Sequence, residues 1–131
     1  MNYKFLGWFN AVGLVIILAP FILNYLKRKL FNNKSKEIRS LVKFLRKFHK
    51  PLGIVLIFTG IIHGYMALGG FRLHTGSLLY LSSILTGAMG GSFYRTKQKK
   101  FFTWHKRFAA LTVGLLILHL VFPSAIYYLL N

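Results

Sequence analysis

The sequence predicts an all-α fold, an integral membrane four-helix bundle, on three observations. Of 131 residues, 55% are hydrophobic and 17% aromatic, more than a soluble domain of this size can hide in its core. Against 18 Lys and Arg stands a single acid, Glu37, so no surface of mixed sign can be built. Apolar runs of about 20 residues, the length that crosses a bilayer's hydrocarbon, alternate with short basic segments.

The first span is expected at about 5–26, with Trp8 near one end and Tyr25 near the other, where aromatic rings anchor a helix at the membrane–water interface. Pro20 inside it is expected to kink the helix, a break that neighbouring helices can accommodate. Only Lys4 precedes the apolar run and no A-x-A-like site follows, so it reads as a retained helix and not a signal peptide. The second span covers about 49–68, the third about 76–93 and the fourth about 104–130, which ends on Tyr127 and Tyr128 as an aromatic belt. Between the first two spans, Ile38, Leu41, Val42, Leu45 and Phe48 recur at helical spacing, with Lys36, Arg39, Lys43, Arg46 and Lys47 on the other positions. Residues 36–48 are therefore either an amphipathic helix on the inner membrane surface or a basic start to the second span. Pro51 favours a joint near His49. The whole chain, 1–131, is read as one transmembrane domain.

Loop charge sets the expected orientation. Lys27, Arg28, Lys29, Lys34, Lys36, Arg39, Lys43, Arg46 and Lys47 lie between spans one and two, and Arg95, Lys97, Lys99, Lys100, Lys106 and Arg107 between spans three and four. The remaining loop has only Arg72 and the N-terminus only Lys4. Positive loops stay on the cytoplasmic side, so both termini are expected outside the plasma membrane and spans two and four run parallel, inside to outside. The formal charge of +17 is explained by these loops, and no nucleic acid partner is expected. The absence of cysteine excludes disulfides, thiolate ligation, cysteine-held iron–sulfur clusters and C-x-x-C-H attachment of a haem. Abundant Lys, Asn, Ile and Phe fit an AT-rich bacterial source.

Chemistry is expected from histidine. His49 and His63 are 14 residues apart on span two, and His105 and His119 are 14 apart on span four. Fourteen helical steps fall about 40° short of four turns and rise about 21 Å, so each pair faces one side at two depths. On parallel helices His49 and His105 share the inner level, and His63 and His119 the outer. Two facing imidazoles can take both axial positions of one iron, and here that arises twice, giving two non-covalent, bis-His haems between helices 2 and 4. Gly53, Gly60 and Ala67 fall within about 40° of the histidine face of span two, with Ala109 and Thr112 on that of span four. These small residues suit either approach of a porphyrin or close helix packing. Zinc or copper would need ligands converging at one point, whereas these are spread over two levels with no carboxylate in the membrane.

Phe48-His49-Lys50 with His63 resembles the first haem-ligating helix of the ferric reductase-like transmembrane superfamily, which includes NADPH oxidases, ferric reductases and the haem subunit of methionine sulfoxide reductase systems. Trp104-His105-Lys106 with His119 resembles its second. The resemblance covers about 48–130 and implies two stacked b-type haems, an inner one on His49 and His105 and an outer one on His63 and His119. The chain departs from that pattern in having four expected helices where the family typically has six. It also lacks a G-x-G-x-x-G segment or a flavin or nicotinamide domain, for which an outward C-terminus leaves no cytoplasmic place. The cytochrome b561 group also binds two haems through four histidines, usually from four separate helices, and fits less well.

Lys50, Lys106 and Arg107 are candidates for pairing with the inner haem's propionates, besides serving as positive-inside anchors. Arg72 and His74 are candidates for the outer propionates or an acceptor site, though a solvent-exposed loop accounts for them more simply. Met66 and Met89 read as packing. The expected function is transmembrane electron transfer by a di-haem b-type cytochrome, from a cytoplasmic or quinol donor or a flavoprotein to an outer acceptor. The other readings are a haem-bearing anchor subunit of a larger oxidoreductase and a haem-free structural membrane protein. Membrane lipid is the expected surround, and a homodimer or a partner subunit is compatible with so small an apolar exterior.

Overall fold

Helices follow one another with short connections in the computed structural model, which describes residues 2–32 and 34–131. In chain order they are α1 (Tyr3–Leu30), α2 (Lys36–Leu68), α3 (Thr75–Thr96), α4 (Lys99–Val121) and α5 (Ala125–Leu130). No strand occurs among the described residues. Three helices, α1, α2 and α4, are long and apolar enough to cross a membrane. Helix α3 has the length, at 22 residues, but its serines, threonines and glycines dilute its hydropathy. The surface is strongly apolar. Trp8, Phe58 and Val121 are more than 60% exposed, whereas the buried side chains include Thr75, Ser82 and Thr112. The interior mixes these hydroxyls with aliphatics such as Leu56 and Leu116, and small residues of this kind let helices in a membrane approach closely.

The packing divides into two units, residues 1–59 and 60–131. In the first, α1 opens on Asn2, whose side chain accepts the Lys4 N–H, and closes with Lys27, Arg28 and Lys29 in its last turn, where cations suit the helix dipole. Pro20 is fully buried inside α1 without ending it. Ser35 starts α2, its hydroxyl accepting the Ile38 N–H and donating to Glu37. The helix then runs 33 residues unbroken, so the basic stretch 36–48 continues into the span at 49–68. Pro51 removes one backbone donor and the helix passes through it, because the turns on either side keep their own bonds. The two helices of this unit meet at Gly13, where a Cβ would lie 2.6 Å from a methyl of buried Leu56, and at Asn10, whose side-chain oxygen accepts the Thr59 hydroxyl at 2.6 Å.

In the second unit α2 ends at Gly69, at φ +64°, a left-handed closure that glycine takes without strain. His74 caps α3 by accepting the Gly76 N–H. The turn from α3 to α4 is only Lys97 and Gln98, with Lys97 itself left-handed, and it folds the two helices into a closely packed antiparallel pair. The expected fourth span of 104–130 is divided. Helix α4 starts earlier, at Lys99, and ends at Val121, because Pro123 disfavours helical backbone at Phe122, which sits at φ −141° and ψ 72°. Tyr127 and Tyr128 lie on the short α5, where Phe122 stacks on Tyr128 at 5.5 Å.

Candidate functional site

Both histidines of α4 turn toward α3, and the reason is local. Thr112, midway between them at seven-residue steps, donates to the Phe108 carbonyl and accepts from Ser82 at 2.8 Å. Thr86 adds a hydroxyl 3.2 Å from Thr112 while bonding the Ser82 carbonyl. This hydroxyl seam fixes the rotation of α4 against α3, and the histidines one step of seven on either side go with it. The seam leaves no side-chain N or O buried without a partner among the described residues.

His119 lies against Gly76, its Cε1 3.2 Å from where a Cβ would stand. Its Nδ1 is 2.9 Å from the Thr75 hydroxyl, which donates to the Pro123 carbonyl at 2.6 Å. A hydroxyl has one proton to give, so with that proton on Pro123 the imidazole is the donor: Nδ1 carries hydrogen and Nε2 carries the lone pair. His63 of α2 faces this ring, with centroids 6.5 Å apart and planes at 83°. The His74 ring also stands 5.9 Å from that of His119, at 85°.

His105 repeats the arrangement two turns from the opposite end of α3. Its ring rests on Gly90, with Nδ1 2.9 Å from where a Cβ would stand, and Nδ1 lies 2.8 Å from the Thr86 carbonyl. A carbonyl only accepts, so here too Nδ1–H donates and Nε2 carries the lone pair in the neutral ring. In the first unit His49 does the same more loosely, with Nδ1 3.4 Å from the Ile17 carbonyl and its ring edge-on to Phe21 at 5.7 Å. His49 and His105 belong to different units.

The donor set suits haem. A metal-ligating histidine generally gives its second ring N–H to a carbonyl or another oxygen, which fixes the tautomer. His49, His105 and His119 all do so. With metal–nitrogen bonds of about 2.0 Å, two imidazoles on opposite sides of one metal have centroids roughly 6 Å apart, close to the His63–His119 separation. Among the described residues no three His, Asp or Glu side chains gather as a metal-ion cluster.

The other sequence candidates take more modest places. Gly53 faces the end of the Ile17 side chain at 3.9 Å, and Gly60 admits the Tyr80 ring at 3.2 Å, so both make room for neighbouring helices. Lys50 is exposed beside His49. Lys106 and Arg107 are exposed and lie over the rings of Phe102 and Trp104 on their own helix, at 4.9 and 5.0 Å. Arg72 is exposed, its carbonyl accepting the Ser77 hydroxyl. Sequence reasoning missed Thr75, Thr86, Gly76 and Gly90. One signal for them existed: Gly76 and Gly90 are 14 residues apart, the same interval as the histidines they receive. Compared with protein-family models, curated proteins and solved structures, the chain matches none.

Proposed function

We propose that this chain is a four-helix membrane bundle that holds two b-type haems and carries electrons across the bilayer. The observation that supports it most is His63 facing His119 at 6.5 Å, with the His119 Nδ1–H already engaged and its Nε2 left for iron. His63 and His119 would hold one group, and the reading of a second, through His49 and His105, rests on the 14-residue spacing of the sequence. Bound by such pairs, haem supplies reversible one-electron chemistry.

The rest of the work belongs to the chain. Thr86 and Ile17 hold the rings of His105 and His49 by their carbonyls. The apolar exterior keeps the ligands in a low-dielectric setting, which tunes potential. Lys50, Lys106 and Arg107 stand beside His49 and His105, where cations favour propionates and the cytoplasmic surface. The sole acid, Glu37, sits in the first turn of α2, so no chain of carboxylates exists to move protons with the electron. The donor is a quinol or a flavoprotein, and the acceptor lies on the opposite side.

The test is optical. Dithionite reduction of the purified protein should give sharp b-type bands, and the pyridine haemochrome should count two haems per chain. Alanine at His63 or at His119 should remove one haem and leave the other. A colourless, folded preparation would overturn the reading, and equal loss of both haems would overturn the pairing.

A further inference from the structure

Thr75 has no exposed surface at all, which makes it more completely buried than the hydroxyls of Ser82 and Thr112. Burying an unpaired hydroxyl is costly, and this one is fully used. It accepts from His119 and donates to Pro123, residues 44 and 48 positions away, while the cap of its own helix is made by His74 instead. Its role is therefore tertiary. The chain break at Pro123 serves the same contact: by ending α4 at Val121 it turns a backbone carbonyl back onto Thr75, four residues after His119.

We propose that Thr75 is the positioning residue of the axial ligand His119, an inference that rests on the haem reading above. The relay runs from the His119 Nδ1–H to the Thr75 oxygen, and from the Thr75 O–H to the Pro123 carbonyl. A hydroxyl that is itself donating is polarised into a better acceptor, so it draws on the imidazole proton and makes Nε2 a stronger donor toward iron. A stronger donor stabilises the oxidised metal, so Thr75 holds the reduction potential at the His63–His119 site down. The His74 Nδ1 also lies 3.4 Å from the Thr75 oxygen while accepting the Gly76 N–H, and the Pro123 carbonyl at 2.6 Å is the closer acceptor for the Thr75 proton.

The full-length protein carrying Thr75→Val, which keeps the shape and loses the hydroxyl, is compared with Thr75→Ser, which keeps the hydroxyl. Redox titration and electron paramagnetic resonance of the oxidised protein are read alongside haem content. Thr75→Val should raise one of two midpoints, change one of two ferric signals and weaken haem retention at that site by about 10- to 100-fold. Thr75→Ser should restore all three. Wild-type midpoints and signals in Thr75→Val would overturn the proposal, as would Thr75→Ser failing to the same degree, which marks packing alone. Thr75→Ala carries the same comparison if valine does not fold. Nitrogen-15 spectra of histidine-labelled, haem-free wild type separate this failure from that of the haem reading. A His119 ring protonated at Nδ1 in a protein that takes up no haem would sink the ligand assignment, whereas protonation at Nε2 in a haem-binding protein would sink the Thr75 relay alone.

Discussion

At Gly90 a single hydrogen atom in place of a side chain decides whether His105 can reach its carbonyl. The ring occupies the volume a Cβ would need, 2.9 Å from Nδ1 and 3.1 Å from Cε1, and from there it bonds the Thr86 oxygen one turn away. Gly90→Ala is therefore expected to push the ring off that carbonyl and to lower retention of the haem proposed for His105. Gly76→Ala, where the nearest approach to His119 is 3.2 Å, should do less at the His63–His119 pair. Haem titration of the two variants checks the order, and a larger loss in Gly76→Ala would count against it. The histidines were legible in the sequence because a 14-residue interval is visible in one dimension. The residues that hold their Nδ1 atoms were not, because Thr75, Thr86 and Pro123 come from a different helix or from beyond a helix end.

Helix pairs are held by different chemistry in the two units. The α3–α4 pair closes on the hydroxyls of Ser82, Thr86 and Thr112, and α1 meets α2 through Gly13 against Leu56 and Asn10 against Thr59. Interhelical hydrogen bonds in membranes average about 0.6 kcal/mol. Thr112→Val should thus cost about 1 kcal/mol or less in unfolding from detergent and, because the seam aims His105 and His119, lower haem retention modestly; a spectral shift without that loss would instead mark a porphyrin-facing Thr112. Gly13→Ala should cost about 1–2 kcal/mol through overpacking, since the Leu56 Cδ2, Cδ1 and Cγ all lie within 3.2 Å of the new methyl. Trimming the neighbour with Leu56→Val should recover part of that loss in the same assay. Element ends were the least legible feature. Pro51 reads as a joint and is crossed, while Pro123 ends a helix expected to run to 130. Both prolines lose a donor; only the backbone of the preceding residue differs, and Phe122 leaves the helical region where α2 stays in it.

For the molecule as a whole, charge asymmetry predicts its orientation, and the absence of cysteine makes that prediction simple to test. Single cysteines placed at Asn2 or Asn131 in intact cells should react with a membrane-impermeant maleimide, and those at Ser35 or Gln98 should react only after the membrane is opened. The reverse pattern would invert the proposed direction of electron flow, and mixed labelling would remove the parallel arrangement of α2 and α4 on which the level-by-level pairing depends. The apolar exterior, with Trp8, Phe58 and Val121 outward, fits a chain whose surround is lipid.

What the sequence by itself determined is the helical class, the apolar helices capable of spanning a membrane and the two histidine intervals. These are set by composition and by periodicity along one chain, and hydropathy and helical pitch read them directly. What only the tertiary structure decided is which way the rings of His105 and His119 turn and which nitrogen of each donates. That depends on α4 being rotated by a hydroxyl seam onto α3, on glycines that let the rings sink against its backbone, and on a proline that returns a carbonyl to Thr75. These contacts join positions 15 to 48 residues apart, and a one-dimensional pattern carries no record of which distant groups will meet.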